Sequence, residues 1–219
     1  MKLIAKGNTA EIMVYEGGLI CKLFVEGYPG AAVRREFRNA KTVLALGIQT
    51  PVAHELVGTR NREGILYDRV MGEDLLTLLQ RVDPEERAYW MTRFCKFHKE
   101  ILSHNTETLM DYRDFLRMLA ENSPEMIKKI DRLPDGTHLL HGDYHPGNVM
   151  VDTKGALCLI DMMNVCRGPA EYDVARTYFL LGVDKAIQKS YLDLMGYAYA
   201  TIQPYLDVIA KLREKELKK

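Results

Sequence analysis

The stretch of sequence that decides the fold is LLHGDYHPGNVMV, residues 139–151. Apolar residues begin and end this stretch, whereas its middle is polar and contains two glycines and a proline. That pattern predicts a loop held between two strands. Two side chains in the loop, those of Asp143 and Asn148, carry oxygen atoms suited to catalysis or to metal binding.

A second carboxylate follows an apolar strand a short distance along the chain. Thirteen residues after Asn148, the apolar run LCLI ends at Asp161. The intervening DTKG is typical of a turn, so we expect residues 148–151 and 156–161 to pair as a hairpin. That hairpin would bring Asn148 and Asp161 to its open end near Asp143, while the register and the shared face stay open.

These three oxygen-bearing side chains are expected to converge. One amide and one carboxylate, with room left for water and phosphate oxygens, suit Mg²⁺ bound together with a nucleotide. The remaining carboxylate can then accept a proton from an attacking hydroxyl group. This division of roles is that of phosphoryl transfer.

The motif HGDYHPGN, residues 141–148, and the later Ile-Asp pair resemble the catalytic and metal motifs of the aminoglycoside phosphotransferase and choline kinase-like family. Members of that family are small-molecule relatives of protein kinases. The resemblance implies that Asp143 is the catalytic base and that Asn148 and Asp161 hold magnesium. Asp173 resembles a structural aspartate that ties the catalytic loop. The fold implied is the two-lobed protein kinase-like fold.

Two charges upstream lie where apolar residues are expected. On a helical wheel, Glu36 falls inside the apolar stripe of the helix predicted for residues 31–46 and is the stripe's only charge. Lys22 lies in the predicted strand 19–25 with apolar residues on its own face. An inward carboxylate needs a partner, and each charge accounts for the other. The resemblance implies that Lys22 orients nucleotide phosphates with Glu36 behind it, and a salt bridge without function is the alternative.

The resemblance assigns two further segments to the nucleotide. Gly7, Asn8 and Thr9 occupy the place of the phosphate-covering loop, where backbone N–H groups can meet phosphate oxygens. An ordinary turn is the alternative interpretation. The backbone around Asp68 and Val70 occupies the place where the family holds adenine. ATP is therefore the expected nucleotide, with GTP left open, and Mg²⁺ is the expected metal.

Strand-like and helical sequences are segregated along the chain, which is typical of the α+β class. The first seventy residues indicate about five strands of a small antiparallel, β-rich lobe, and most of the later chain has helical patterns. We therefore predict an N-lobe over residues 1–71 and a larger, mostly helical C-lobe over residues 72–219. The boundary is placed there because Gly72 ends the strand pattern.

The helical part of the chain carries further signals. His98 lies on an apolar helix stripe, where a core histidine with a local hydrogen bond is the favoured interpretation. Breaks in the C-terminal helices are expected near Gly182 and Pro204. The tail KLREKELKK, residues 211–219, is expected to be a solvated, fraying helix end rather than a binding surface.

Composition excludes several classes of protein. Thirty Lys and Arg residues balance thirty Asp and Glu residues, so the chain lacks the charge of a general nucleic-acid or anionic-membrane binder. No apolar run reaches 18 residues, which argues against a membrane span. The four cysteines form no CxxC pair and sit mostly among apolar neighbours. These features indicate a reduced, cytoplasmic protein without a nucleic-acid or membrane partner.

Alternatives to small-molecule phosphorylation stay open. A protein-serine/threonine kinase would carry D-F-G, but Asp161 is followed by two methionines. A pseudokinase binding module is expected to lack one of the residues assigned above to nucleotide, metal or proton transfer, and all are present. A metallohydrolase could use His141, Asp143 and His145 as transition-metal ligands. We favour histidines that hydrogen-bond the nearby backbone.

The predicted reaction is ATP-dependent transfer of the γ-phosphoryl group to the hydroxyl of a small molecule. Residues 162–219 contain nine Lys and Arg against seven Asp and Glu. No acidic surplus there favours polycationic aminoglycosides. An amino alcohol, a sugar or a nucleoside-like acceptor stays open.

Overall fold

The computed structural model describes residues 2–59, 61–121 and 123–216. Its strands, in chain order, are β1 (Lys2–Lys6), β2 (Ala10–Val14), β3 (Leu19–Phe24), β4 (Ala53–Thr59), β5 (Arg62–Asp68), β6 (Gly72–Asp74), β7 (His138–Leu140), β8 (Val149–Asp152), β9 (Leu157–Leu159) and β10 (Cys166–Gly168). Its α-helices are α1 (Gly30–Ala45), α2 (Leu75–Arg81), α3 (Pro84–Ser103), α4 (Tyr112–Ala120), α5 (Pro124–Ile130), α6 (Ala170–Leu180), α7 (Lys185–Met195) and α8 (Tyr199–Glu216). The predicted α+β class is confirmed.

The chain divides into two compact units. The first unit comprises Met1–Asp74 and Val149–Met163, and the second comprises Leu75–Asn148 and Asn164–Lys219. The sequence placed residues 149–163 in the later lobe, whereas in the structure they pack with the first unit. The reason is strand pairing, because β8 pairs with β6 as well as with β9.

The first unit is built on a five-stranded antiparallel sheet in the order β1-β2-β3-β5-β4. Side chains alternate between the faces of β3. Cys21 and Leu23 pack with Leu66 on one face, while Lys22 and Phe24 point to the other. Helix α1 packs against β4 and β5. The expected five strands and the expected helix are therefore present.

Gly72 begins a strand rather than ending one, which corrects the sequence interpretation. It pairs with Asp152 in the three-stranded sheet β6-β8-β9. A Cβ atom at position 72 would collide with the carbonyl oxygen of Val151. A glycine is required here because two backbones approach closely, not because the chain turns.

The predicted hairpin after the HGDYHPGN motif is confirmed. Strands β8 and β9 pair antiparallel, with Val149 opposite Leu159 and Val151 opposite Leu157. The Asp152 carboxylate accepts hydrogen bonds from the backbone N–H groups of Lys154 and Ala156. This local bonding explains why the DTKG sequence turns where it does.

The second unit consists of helices α2 to α8 and the two-stranded ribbon of β7 and β10. Helix α3 begins where Asp83 caps it, accepting a hydrogen bond from the N–H of Glu86. Its apolar stripe supplies the core residues Phe94 and Ile101, both fully buried. The unit's core therefore forms on the stripe that the sequence indicates.

The end of the chain differs from expectation in two ways. Helix α8 continues through Pro204 instead of breaking there. Because Pro204 lacks one N–H and lies early in the helix, it removes a single helical hydrogen bond, and buried residues such as Ile202 and Tyr205 hold both sides of it. Leu212 is also buried, so the tail is packed this far, while residues 217–219 lie outside the described part.

The described helices and the cysteines concern two features that composition also addresses, namely the length of apolar segments and the surroundings of the thiols. Within the described ranges, none of the helices is both long and apolar enough to cross a membrane. All four cysteines are buried. Their burial agrees with the apolar neighbours that the sequence gives them.

Candidate active site

Asp173 anchors the loop that contains Asp143. Its Oδ2 accepts a hydrogen bond from the backbone N–H of His141 at 2.9 Å, and its Oδ1 accepts one from the N–H of Gly142 at 2.7 Å. The side chain is fully buried near the start of α6. Burial alone would raise its pKa, but hydrogen bonds and nearby histidines hold the pKa below its usual value. The predicted loop-tying role of Asp173 is confirmed.

His98 extends this anchor into the core. Its Nε2 lies 3.1 Å from Asp173 Oδ2, and its Nδ1 lies 2.9 Å from the Tyr191 hydroxyl. Since the carboxylate accepts, Nε2 carries the proton and Nδ1 accepts from Tyr191. Burial lowers the pKa of His98, against the opposing effect of Asp173. The sequence predicted a core histidine correctly, but its partners are distant in sequence rather than local.

Gly142 is required by the course of the catalytic loop. Its φ is +76°, and a Cβ atom there would collide with the carbonyl oxygen of Asn164. Both conditions exclude other residues. The close approach fixes the loop immediately before Asp143.

Asp143 is held beside a cation that the sequence analysis missed. Arg176 Nη2 lies 3.1 Å from Asp143 Oδ1, and Arg176 Nε donates to the carbonyl of Gly142 at 3.3 Å. The Asp143 side chain is 26% exposed. Arg176 follows Asp173 by three residues on α6, so the two share a helix face. That spacing is the signal that could have found Arg176.

Asn148 and His145 support the same loop. Asn148 Nδ2 donates to the backbone carbonyl of Asp143 at 2.9 Å and lies 3.4 Å from Asp143 Oδ2. His145 Nδ1 accepts from the N–H of Gly147 at 3.1 Å, as predicted, and its Nε2 lies 3.7 Å from Asp143 Oδ2. The amide nitrogen of Asn148 therefore faces Asp143.

The first unit contains the predicted pair of Lys22 and Glu36. Lys22 Nζ lies 2.8 Å and 3.0 Å from the two Glu36 carboxylate oxygens, and the Tyr67 hydroxyl donates to Glu36 Oε1 at 3.1 Å. Lys22 Nζ also lies 2.8 Å from Asp161 Oδ1. Burial alone would lower the pKa of Lys22, but these two carboxylates raise it. The expected ion pair is present, and Asp161 joins it.

Asp161 has an unusual backbone conformation that is held from α1. Its φ is +65°, a region that residues other than glycine rarely occupy. Asn39 Nδ2 donates to the carbonyl of the next residue, Met162, at 2.9 Å. Strained residues of this kind cluster at functional sites. Asn39 is buried on α1, three residues after Glu36. The helical-wheel argument considered only charged residues and therefore did not identify Asn39.

The remaining predicted nucleotide residues lie in turns and strand ends of the first unit. The N–H of Gly7 donates to Ala10 O, and the N–H of Val25 donates to Thr9 O, both at 2.9 Å. Asn8 lies in the same turn. The first bond closes the turn between β1 and β2, and the second ties that turn to the residue that follows β3.

Asp68 and Val70 lie at and just after the end of β5. The N–H of Asp68 donates to Val52 O at 3.1 Å, and the Asp68 carboxylate lies 2.7 Å from His54 Nε2. Val70 is half-buried between β5 and β6. The nucleotide roles of both residues stay predictions.

The structure groups the predicted residues by unit. Lys22, Glu36 and Asp161 contact one another in the first unit, and Asp143 and Asn148 do so in the second. Across the described ranges, no three His, Cys, Asp or Glu side chains are grouped to hold a metal. The shared magnesium role of Asn148 and Asp161 stays a prediction.

Comparisons with known proteins place the chain among phosphotransferases in sequence and in fold. The model of the phosphotransferase enzyme family matches residues 2–209. No curated protein matches. Among solved structures, an aminoglycoside-3'-phosphotransferase of type VIII is 18% identical, spans 94% of this chain and 91% of its own, and has a TM-score of 0.71.

Two further solved structures have the same fold. The aminoglycoside phosphotransferase APH(3'')-Id from Streptomyces rimosus, solved with ADP and streptomycin, is 14% identical, with coverage of 90% of this chain and 88% of its own and a TM-score of 0.65. The complex of gentamicin with APH(2")-IIa is 13% identical, with coverage of 94% and 79% and a TM-score of 0.63. The predicted two-lobed protein kinase-like fold is confirmed.

Proposed function

The chain belongs to the phosphotransferase enzyme family, and from that premise we propose that it transfers the γ-phosphoryl group of ATP to a hydroxyl group of a small molecule. The observation that carries the proposal is the setting of Asp143. Its carboxylate is partly exposed on a loop whose backbone is fixed by Asp173. A carboxylate that is held in place and still accessible is what a general base requires.

In the proposed reaction Asp143 accepts the proton of the acceptor hydroxyl. The hydroxyl oxygen forms a bond to the γ-phosphorus while the bond between that phosphorus and the β,γ-bridging oxygen breaks, which releases ADP. Arg176 donates to Asp143 Oδ1, whereas the contact of Asn148 with Oδ2 is longer. We therefore assign the proton to Oδ2.

Lys22 is proposed to bind the nucleotide phosphates. The Tyr67 hydroxyl donates to the Glu36 carboxylate, and that carboxylate in turn accepts from the Lys22 ammonium group and orients it. The Gly7–Thr9 turn is proposed to cover the phosphates with backbone N–H groups, and the Asp68–Val70 backbone to hold the base. Backbone recognition of the base leaves GTP as an open second donor.

Magnesium would be held by Asn148 and Asp161. Both offer the oxygen donors that Mg²⁺ prefers. The Asn148 amide nitrogen donates to the Asp143 carbonyl, so its Oδ1 is the atom suited to the ion. When bound, the ion neutralises negative charge on the phosphates.

The test of the proposed base is Asp143→Asn, assayed by ADP release with a panel of hydroxyl acceptors. Turnover should fall by about 10² to 10⁴, the range for a lost general base, while ATP affinity stays near the wild-type value. Asp193→Asn is the matched control, because Asp193 is an exposed carboxylate of the same unit that pairs with the surface residue Lys189 on α7. Wild-type turnover in Asp143→Asn would end its candidacy as base.

The test of the proposed metal ligands is calorimetric titration of ATP with and without Mg²⁺. Asp161→Asn keeps a residue that tolerates positive φ and removes the charge, so Mg²⁺ should no longer strengthen ATP binding. Asn148→Ala removes a neutral ligand, and its smaller defect should be partly recovered at high Mg²⁺. Full Mg²⁺ enhancement in folded Asp161→Asn would refute the metal assignment.

A further inference from the structure

Helix α1 contacts the chain segment that begins at Asp161, and one of its polar residues has no role in the proposed reaction so far. We propose that this residue, Asn39, is a positioning residue. Through its hydrogen bond to the Met162 carbonyl it holds Asp161 in the backbone conformation from which the carboxylate binds Mg²⁺. This inference rests on the proposed phosphotransferase function and on the metal role proposed for Asp161.

The backbone at Asp161 needs to be held. Strand β9 ends two residues earlier, and a short 3₁₀ helix starts at Met162. Asp161 joins the two with a φ of +65°. A residue with a Cβ atom favours negative φ, so this conformation persists only where the surrounding structure imposes it.

The Asn39 side chain fixes the chain on the far side of Asp161. Asn39 and Met162 are both buried, and a buried carbonyl requires a donor, which Asn39 Nδ2 supplies at 2.9 Å. Arg35 on the same helix adds a weaker contact, with its Nη2 at 3.9 Å from the Met163 sulfur. Because β9 fixes the chain before Asp161 and α1 fixes the chain after it, the φ of Asp161 has little freedom to relax.

The Lys22 ammonium group is held separately from the same helix. Glu36 lies three residues before Asn39, on the same face of α1, and its carboxylate accepts from Lys22 Nζ at 2.8 Å and 3.0 Å. Loss of the Asn39 amide therefore leaves this pair in place while it frees the backbone at Asp161. A positioning role thus predicts a defect in the use of Mg²⁺, with ATP binding in the absence of Mg²⁺ retained.

The test is calorimetric titration of ATP into Asn39→Ala, without Mg²⁺ and at a series of Mg²⁺ concentrations. Removing a residue that orients a metal ligand typically lowers metal affinity about 10- to 100-fold. The Mg²⁺ concentration that gives half of the enhancement of ATP binding should therefore rise by about that factor. ATP affinity without Mg²⁺ should stay near the wild-type value.

Val43→Ala is the matched control. Val43 is fully buried on the same helix, but its side chain has no hydrogen-bond donor, so the variant reports lost packing of α1 alone. Its Mg²⁺ dependence should equal that of the wild type. Thermal melts establish that the variants fold, and Asn39→Ser, whose hydroxyl is shorter than the amide, serves if Asn39→Ala does not.

A second comparison asks whether Asn39 acts through Asp161. In the Asp161→Asn background, which should already lack the Mg²⁺ enhancement, Asn39→Ala should cause no further change in it. Three results would overturn the inference alone: a wild-type Mg²⁺ dependence in Asn39→Ala, an equal loss of ATP affinity with and without Mg²⁺, or the same shift in Val43→Ala. Full Mg²⁺ enhancement in Asp161→Asn would instead refute the metal assignment, and the inference with it.

Discussion

A cation holds Asp161 in the first unit, whereas an anion holds the loop of Asp143 in the second. Lys22 contacts the carboxylates of both Asp161 and Glu36 directly. In the second unit, Asp173 bonds to the backbone N–H groups of residues 141 and 142 rather than to the side chain of Asp143. The charge on Asp161 is therefore fixed through contacts between side chains, whereas the loop of Asp143 is fixed at its backbone by Asp173.

This difference separates two tasks of the proposed enzyme. Lys22, Glu36 and Asp161 together carry a net negative charge. A nucleotide that binds Lys22 and a metal that binds Asp161 would compete with the contacts among these side chains and so change them. A backbone anchored by a buried carboxylate keeps its shape whichever ligand is present. We therefore expect changes in the first unit to couple strongly with one another, and changes at Asp143 and its Asp173 anchor in the second to alter turnover without altering ATP binding.

The largest expected effect is at the Lys22 and Glu36 pair. Lys22→Met should lower the free energy of unfolding by about 3–5 kcal/mol, because it leaves the buried Glu36 carboxylate without its cation, and Glu36→Gln should lower it less, because Lys22 keeps the Asp161 carboxylate at 2.8 Å. The double variant should lose much less than the sum, as measured by chemical denaturation. Additive losses would show that the two charges do not depend on each other.

The exposed pair of Arg34 and Glu63 is the matched control for that cycle. Its atoms lie 3.4 Å apart in the same unit, with both side chains well exposed. Solvent screens such pairs, so the coupling should be about 0–1 kcal/mol. A coupling as large as that of the buried pair would remove the contrast between buried and exposed charge.

A smaller effect is expected at Asp173. Asp173→Asn keeps the shape but places an amide where two N–H groups need an acceptor, which should cost about 2–3 kcal/mol of unfolding free energy. Turnover should fall while the affinity for MgATP does not change. A parallel loss of ATP affinity would contradict the separation of tasks between the two units.

Asp184 provides the control for this substitution. It also accepts two backbone hydrogen bonds, from Ala186 and Ile187, but at the exposed start of α7. Asp184→Asn should be nearly neutral because Asn caps helices about as well as Asp. If Asp184→Asn lowered the free energy of unfolding as much as Asp173→Asn does, burial would not be the reason for the importance of Asp173.

The smallest expected effect is a pH dependence that arises from His98. Burial lowers the pKa of His98 from its usual 6.5, so below that pH the unfolded chain binds a proton that the folded chain does not. The contribution of this group to the free energy of unfolding should therefore decrease between pH 7.5 and pH 5.5. His98→Gln should flatten the dependence over that window.

The lowered pKa of Asp173 acts in a different window. Its contribution to stability is present above pH 3.8, the usual value, and is lost as the pH falls below it. The two groups are therefore separable in one titration of stability against pH. A wild-type slope in His98→Gln between pH 7.5 and pH 5.5 would assign the dependence to other groups.

The first unit was more predictable from sequence than the second, and the residues show why. Lys22 and Glu36 were found because each interrupts an apolar repeat of known period, so a single element suffices to expose them. Arg176 and Asn39 do not interrupt an apolar repeat, so the pattern of their own helices does not reveal them. Their importance lies in contacts with Asp143 and Met162, which are remote in the sequence.

The corrections have the same origin. Gly72 was interpreted as a local break, but it is required by the approach of a strand almost eighty residues later. Pro204 was expected to end a helix, but packing on both sides maintains it. In each case tertiary contacts outweigh a local preference.

The resemblance to a family implied the loop-tying role of Asp173, whereas the sequence by itself determined the α+β class, the hairpin after the HGDYHPGN motif and the Lys22 and Glu36 pair. These depend on spacing and on period within short segments, which the covalent chain fixes. Only the tertiary structure decided the partners of His98, the cation beside Asp143 and the bond from Asn39 to the Met162 carbonyl. Those contacts join residues far apart in sequence, and only packing brings them within hydrogen-bond or van der Waals distance.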